Sequence, residues 1–156
     1  MNNLKGLMTS TTDNWATPKQ FFADLNQRYH FTLDPCASDM NFKCRKYFTV
    51  KEDGLQQEWG GDRCFVNPPY GRQIGKWVEK AYKTNLEHGN LIVMLLPART
   101  DTRWFHDYIY HKAKIVFIKG RLKFNDGTQP APFPSMLVIY EQRPTGKGMN
   151  YVSGKN

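Results

Sequence analysis

Apolar residues recur along this chain at two spacings, and the changes between them mark out its elements. Phe21, Phe22, Leu25 and Tyr29 follow Thr17-Pro18-Lys19-Gln20 at helical spacing. The pattern predicts a helix over about 18–29, with Thr17 as N-cap, Pro18 in the first turn and Gln20 completing a capping box. Phe31-Thr32-Leu33 and Tyr47-Phe48-Thr49-Val50 read as strands, as do Phe65-Val66, which Pro68 and Pro69 stop. Ile74, Trp77, Val78, Ala81, Tyr82 and Leu86 then share one helical face, Lys76, Glu79, Lys80 and Lys83 lie off it, and Gly89 supplies a stop. The unbroken run Leu91–Leu96 predicts a fully buried strand ended by Pro97. A helix follows, capped by Thr100 or Asp101, with Trp104, Phe105, Tyr108 and Ile109 turned inward. Lys114–Ile118 reads as another buried strand, residues 129–134 as an extended loop, and Ser135–Tyr140 as the last strand.

Strand, helix and strand in succession imply parallel neighbours, so the class is α/β. The chain has 156 residues, enough for one domain with a real core. The reading is a loose polar N-terminus over 1–13, one domain over 14–141, and a polar, glycine-rich tail over 142–156. No internal repeat and no linker interrupts it.

Charge adds a partner. The formal net charge is +8 at pH 7, with a pI near 9.4, and nucleic acid is the leading anionic candidate. Cys36, Cys44 and Cys64 are odd in number and lack CxxC spacing, so they read as free thiols and no metal site is assigned. The first residues lack a basic, then apolar, leader, and no apolar run approaches the roughly 18 residues of a membrane span. These features point to a reduced, cytoplasmic protein without a membrane.

The candidate chemistry lies in Asn67-Pro68-Pro69-Tyr70-Gly71, a rigid turn after a short strand. An amino group on a flat aromatic ring is a poor nucleophile, because its lone pair is delocalised. Two acceptors, the Asn67 side-chain oxygen and the Pro68 carbonyl, can bind both N–H protons and localise the pair on nitrogen. Tyr70 can stack on the ring.

This tetrapeptide matches the catalytic motif of amino-group methyltransferases. The wider chain resembles the phage-type DNA N-6-adenine-methyltransferase family at Trp15-Ala16-Thr17-Pro18, Leu33–Ser38, Asp53-Gly54-Leu55 with Trp59, Asn67–Tyr70 and Gly120–Phe124. The resemblance implies a Rossmann-like class I methyltransferase fold: a reduced, mostly parallel sheet with an antiparallel last strand and helices on both faces. It implies S-adenosylmethionine as cofactor, with Trp15, Thr17 and Pro18 in its pocket. Asp34-Pro35-Cys36-Ala37-Ser38 resembles the family's cofactor loop, with Ser38 where a glycine is usual, and Asp34 is placed to pair with the cofactor's amino group. An acid after the second strand commonly takes ribose hydroxyls in such sheets, which makes Asp53 the candidate, with Glu52 beside it.

The implied substrate is adenine in double-stranded DNA, flipped from the helix. Arg72, Arg99, Arg103, Lys119, Arg121 and Lys123 flank predicted strand ends and are candidates for phosphate contacts. No length is spare for a recognition domain, so readout falls to residues 39–63 or 119–134, or to the second subunit of a homodimer. RNA adenine, a protein glutamine amide, and a silent nucleic-acid-binding module on the same fold are the alternatives.

Overall fold

The computed structural model of the chain describes residues 14–144. Its elements, in order, are α1 (Lys19–Tyr29), β1 (Leu33–Asp34), β2 (Lys46–Tyr47), β3 (Cys64–Val66), α2 (Ile74–His88), β4 (Ile92–Pro97), α3 (Arg103–Tyr108), β5 (Lys114–Phe117) and β6 (Ser135–Tyr140). The strands form one sheet in the order β2-β1-β3-β4-β6-β5. β2, β1, β3 and β4 are parallel. β6 runs antiparallel to both β4 and β5, so it alone is reversed.

The centre of the sheet is β4, whose six residues are all buried and pair with β3 on one side and β6 on the other. Pro97 has no N–H to give, and the register sets it at the last position, opposite Ser135. Phe65 of β3 receives the rings of Phe22 from α1 and of Phe31, at 5.0 and 5.3 Å between centroids. Along α2, Ile74, Trp77, Val78 and Ala81 are buried as their spacing predicts. The helix ends at Gly89, whose φ of 68° lies in the left-handed region that glycine enters without cost.

Several expectations are corrected. Thr17 does not cap α1: Pro18 occupies the cap position, and the Asp126 carboxylate instead accepts from the Lys19 N–H at 3.0 Å. Gln20 donates to Asp24 rather than closing a capping box. The second strand begins at Lys46 and ends at Tyr47, because Glu52 captures the Thr49 N–H and hydroxyl, at 2.8 and 3.0 Å, and turns the chain out of the sheet. Thr102, not Thr100 or Asp101, caps α3, its hydroxyl accepting from Phe105 N–H. β5 is exposed rather than buried. It lies at the sheet's edge with one partner, leaving Phe117 63% exposed.

The tail is anchored further than residue 141. Arg143 donates to the Asn85 and Leu86 carbonyls at the end of α2, at 2.8 and 2.7 Å, where a cation suits both the unpaired carbonyls and the helix dipole. Residues 1–13 and 145–156, read as loose, lie outside the described residues. Among the described residues, no helix is long and apolar enough to cross a membrane.

Candidate active site

Strand order locates the site. The chain leaves β1 toward β2 on one side and later runs from β3 to β4 on the other, so the direction of winding reverses between β1 and β3. In open α/β sheets ligands bind at such a reversal, outside the carboxyl ends of the strands. Asp34 ends β1 and Asn67 follows β3, so the two flank the reversal. A cavity of about 640 Å³ lies there, within the size range of cofactor pockets.

Asn67 is held by its nitrogen. Its Nδ2 donates to the Trp15 carbonyl, and to the Thr17 hydroxyl at 3.0 Å. A carbonyl can only accept, so the amide cannot be reversed without setting oxygen against oxygen. Oδ1 is therefore turned away from both partners. It is buried with no hydrogen-bond partner among the described residues. Such an acceptor is costly unless a ligand satisfies it. Thr17 is only 2% exposed, and its hydroxyl serves Asn67 instead of a helix cap.

Asp34 forms the other side. Its two carboxylate oxygens accept from the Cys36 N–H at 3.2 Å and the Lys43 N–H at 3.0 Å, which shapes the loop after β1. Burial raises its pKa to about 6, against the pull of those two bonds and of the Lys43 charge. A desolvated carboxylate in a cavity wall is a site for a cationic ligand. Beside it the Cys36 thiol is pushed well above its ordinary range, first by burial and then by the Asp34 charge, and so stays protonated. Asp53 also lines the cavity, with its carboxylate accepting from Leu55 N–H, whereas Glu52 is engaged with Thr49.

Most of the sequence-predicted cofactor set converges here: Trp15, Thr17, Pro35, Cys36, Ala37, Ser38 and Asp53 line the cavity with Asp34, Asn67, Pro68 and Pro69. Pro18 does not, because it begins α1. Tyr70 does not either. It is 4% exposed, its hydroxyl donates to the Leu95 carbonyl at 2.8 Å, and its ring meets Phe124 and Phe133 edge-on. In this arrangement Tyr70 pins the turn to β4 and does not face the cavity. The predicted cations Arg72, Arg99, Arg103, Lys119, Arg121 and Lys123 are all exposed and outside the cavity lining. Arg72, Arg99 and Lys119 follow the carboxyl ends of β3, β4 and β5, the same edge of the sheet as Asp34 and Asn67. Arg121 spends one N–H on the Ala131 carbonyl at 3.2 Å.

Sequence reasoning missed more than half of the cavity lining, and four of the missed residues are instructive. By sequence Phe48 reads as strand, Trp77 as core, Gly54 as part of an Asp-Gly turn and Asn125 as a turn far along the chain, yet all four line the cavity. The signal for Gly54 is the close packing of two loops. A Cβ there would lie 1.9 Å from the Pro35 carbonyl oxygen, so only glycine lets this backbone meet the Asp34 loop. Among the described residues, no group of three or more His, Cys, Asp or Glu is disposed to hold a metal ion.

Comparison with known proteins covers most of the chain. A family model described as DNA N-6-adenine-methyltransferase (Dam) matches residues 5–155. A DNA N-6-adenine-methyltransferase of Haemophilus phage HP1 is 32% identical over 142 residues, covering 86% of this chain and 82% of that protein. Another, of Escherichia phage T1, is 38% identical over 141 residues, covering 88% of this chain and 58% of that protein. A turn whose asparagine carries an unpartnered acceptor, across a sheet reversal from a buried carboxylate, thus occurs in a chain that belongs to the DNA N-6-adenine-methyltransferase family.

Proposed function

We propose that this protein transfers a methyl group from S-adenosylmethionine to N6 of an adenine flipped out of double-stranded DNA, on a Rossmann-like class I methyltransferase fold. Family membership makes the reaction adenine-N6 methylation of DNA. The donor, the flipped base and the residue roles are the further steps of this reading. The observation that carries it is the direction of the Asn67 amide, its nitrogen bound and its buried oxygen left without a partner among the described residues.

The donor fits the cavity by the chemistry of the wall. Asp34 offers a desolvated carboxylate to the amino group, Asp53 a second to the ribose, and Trp15, Phe48, Leu55 and Trp77 an apolar and aromatic lining for a flat base. When bound, S-adenosylmethionine supplies an electrophilic methyl on a sulfonium. The chain's own contribution is to the acceptor. Asn67 Oδ1 takes one N6 proton and the Pro68 carbonyl the other, which draws the lone pair onto nitrogen and aims it. Pro68 and Pro69 fix the turn, and Tyr70 ties it to β4 through the Leu95 carbonyl. The surplus proton leaves to solvent once the nitrogen is alkylated. Arg72, Arg99 and Lys119 hold phosphates along the same sheet edge, joined by Arg103, Arg121 and Lys123 from the segments that follow β4 and β5.

Labelled-methyl transfer to unmethylated DNA, RNA and protein in parallel tests the reading. DNA should be labelled, and transfer to RNA or protein alone overturns it. Asn67→Ala should lower the rate at least about a hundredfold while leaving cofactor affinity within a few fold. Asp34→Ala should do the reverse, weakening cofactor binding before chemistry is reached. A collapse of cofactor affinity in Asn67→Ala would show the two roles to be misassigned.

A further inference from the structure

We infer that Asn125, remote from Asn67 in sequence, is a positioning residue that fixes the direction of the Asn67 amide through segment 14–18; the inference rests on the role proposed for Asn67. Asn125 grips Ala16 twice. Its N–H donates to the Ala16 carbonyl at 2.8 Å, and its Oδ1 accepts from the Ala16 N–H at 3.0 Å. Ala16 N–H and the Trp15 carbonyl belong to one planar peptide unit, in which they point in opposite directions. Holding the N–H therefore aims the carbonyl, and that carbonyl is the acceptor for Asn67 Nδ2. The next peptide unit, Ala16 carbonyl with Thr17 N–H, is held by the second bond, and Thr17 carries the other acceptor for Nδ2.

The clasp is built for this place. Asn125 and Asp126 have φ of 61° and 51°, in the left-handed region that Asn and Asp enter more readily than other non-glycine residues. This conformation turns both the N–H and the side chain of Asn125 onto one residue, while Asp126 takes the first N–H of α1. The Trp15 ring, edge-on to Phe124 at 5.6 Å and Phe133 at 5.1 Å, braces the same segment. Without the clasp the Trp15 carbonyl is free to rotate with its peptide plane. The Asn67 amide can then turn its NH2 toward the NH2 of the substrate, where neither accepts.

The test is the single-turnover rate constant of methyl transfer at saturating DNA and S-adenosylmethionine. Asn125→Gly keeps the left-handed backbone at no steric cost and deletes only the side-chain half of the clasp. Its rate constant should fall about tenfold or more while its melting temperature stays within about 3 °C of wild type. Asn125→Asp retains the acceptor and should recover most of the rate. In spectra of protein labelled with nitrogen-15, the Asn67 side-chain amide should shift in Asn125→Gly and return in Asn125→Asp. A Gly variant with wild-type rate, or a loss that Asp does not repair, overturns the inference. If Asn125→Gly does not fold, Thr17→Val removes the other end of the relay and should show the same tenfold loss; a wild-type rate there is equally fatal. Asn67→Ala run alongside separates the two ideas. An inactive Asn67→Ala beside a fully active Asn125→Gly removes only the positioning role, whereas an active Asn67→Ala removes the reading of the site itself.

Discussion

At the scale of single residues, Asp34 should give the protein a pH signature. Its pKa is about 6 in the folded chain against an ordinary value of 3.8, chiefly because it is buried. The folded state thus binds this proton more tightly than the unfolded one. The stabilisation is fully present below about pH 3.8 and is lost as pH rises through about 6, on the order of 3 kcal/mol in all. Binding of a cationic donor has the opposite sign, since it requires the carboxylate ionised. S-adenosylmethionine affinity, measured by calorimetry, should rise about tenfold per pH unit below 6 and level off above it. Asp34→Asn should flatten that profile and weaken binding at pH 7.5. A profile that survives the substitution would move the titration to another group. Thr17 shows why residue roles are hard to read from sequence. A hydroxyl before Pro at a helix start satisfies the rule for a cap, yet here it serves a side chain 50 positions away, and no local pattern distinguishes the two uses.

At the scale of elements, what repeats within a window was legible and what depends on a distant partner was not. α1 follows its helical stripe, α2 follows its own except at Leu86, which is 58% exposed in the last turn, and β4 follows its unbroken apolar run. β5 has the same kind of run but no second neighbour, and only Ile115 is partly buried while Val116 and Phe117 are exposed; apolar sequence states what can be buried, not whether a cover exists. β2 is shortened by a side-chain capture at Thr49, a competition between sheet and turn that propensity does not resolve. The approach of Gly54 to Pro35 makes a sharper prediction. Gly54→Ala must push the Asp34 loop or the turn aside, because the new methyl meets backbone oxygen at 1.9 Å and the Trp77 ring at 3.0 Å. The expected outcome is a stability loss of about 1–3 kcal/mol in urea unfolding, with cofactor affinity down at least tenfold. A variant with native affinity would show that the two loops move freely of one another.

At the scale of the whole molecule, the cations beyond the carboxyl ends of β3, β4 and β5 share the sheet edge of the cavity. If Arg72, Arg99 and Arg121 each neutralise a phosphate, replacing any one by Gln should reduce the slope of log affinity against log salt by about 0.9 and weaken binding to all DNA sequences alike. A fluorescence-anisotropy titration at several salt concentrations reads both quantities, and an unchanged slope removes that arginine from the contact face. Topology carries one more consequence. Among the described strands β6 is the last in chain order, yet it fills the gap between β4 and β5. Until Tyr140 has emerged, the apolar flank of β4 has no cover on that side and β5 has no ladder to join. Nascent chains halted short of that point should therefore be seized by chaperones and cut by proteases, and the enzyme should gain its shape in one late step rather than strand by strand.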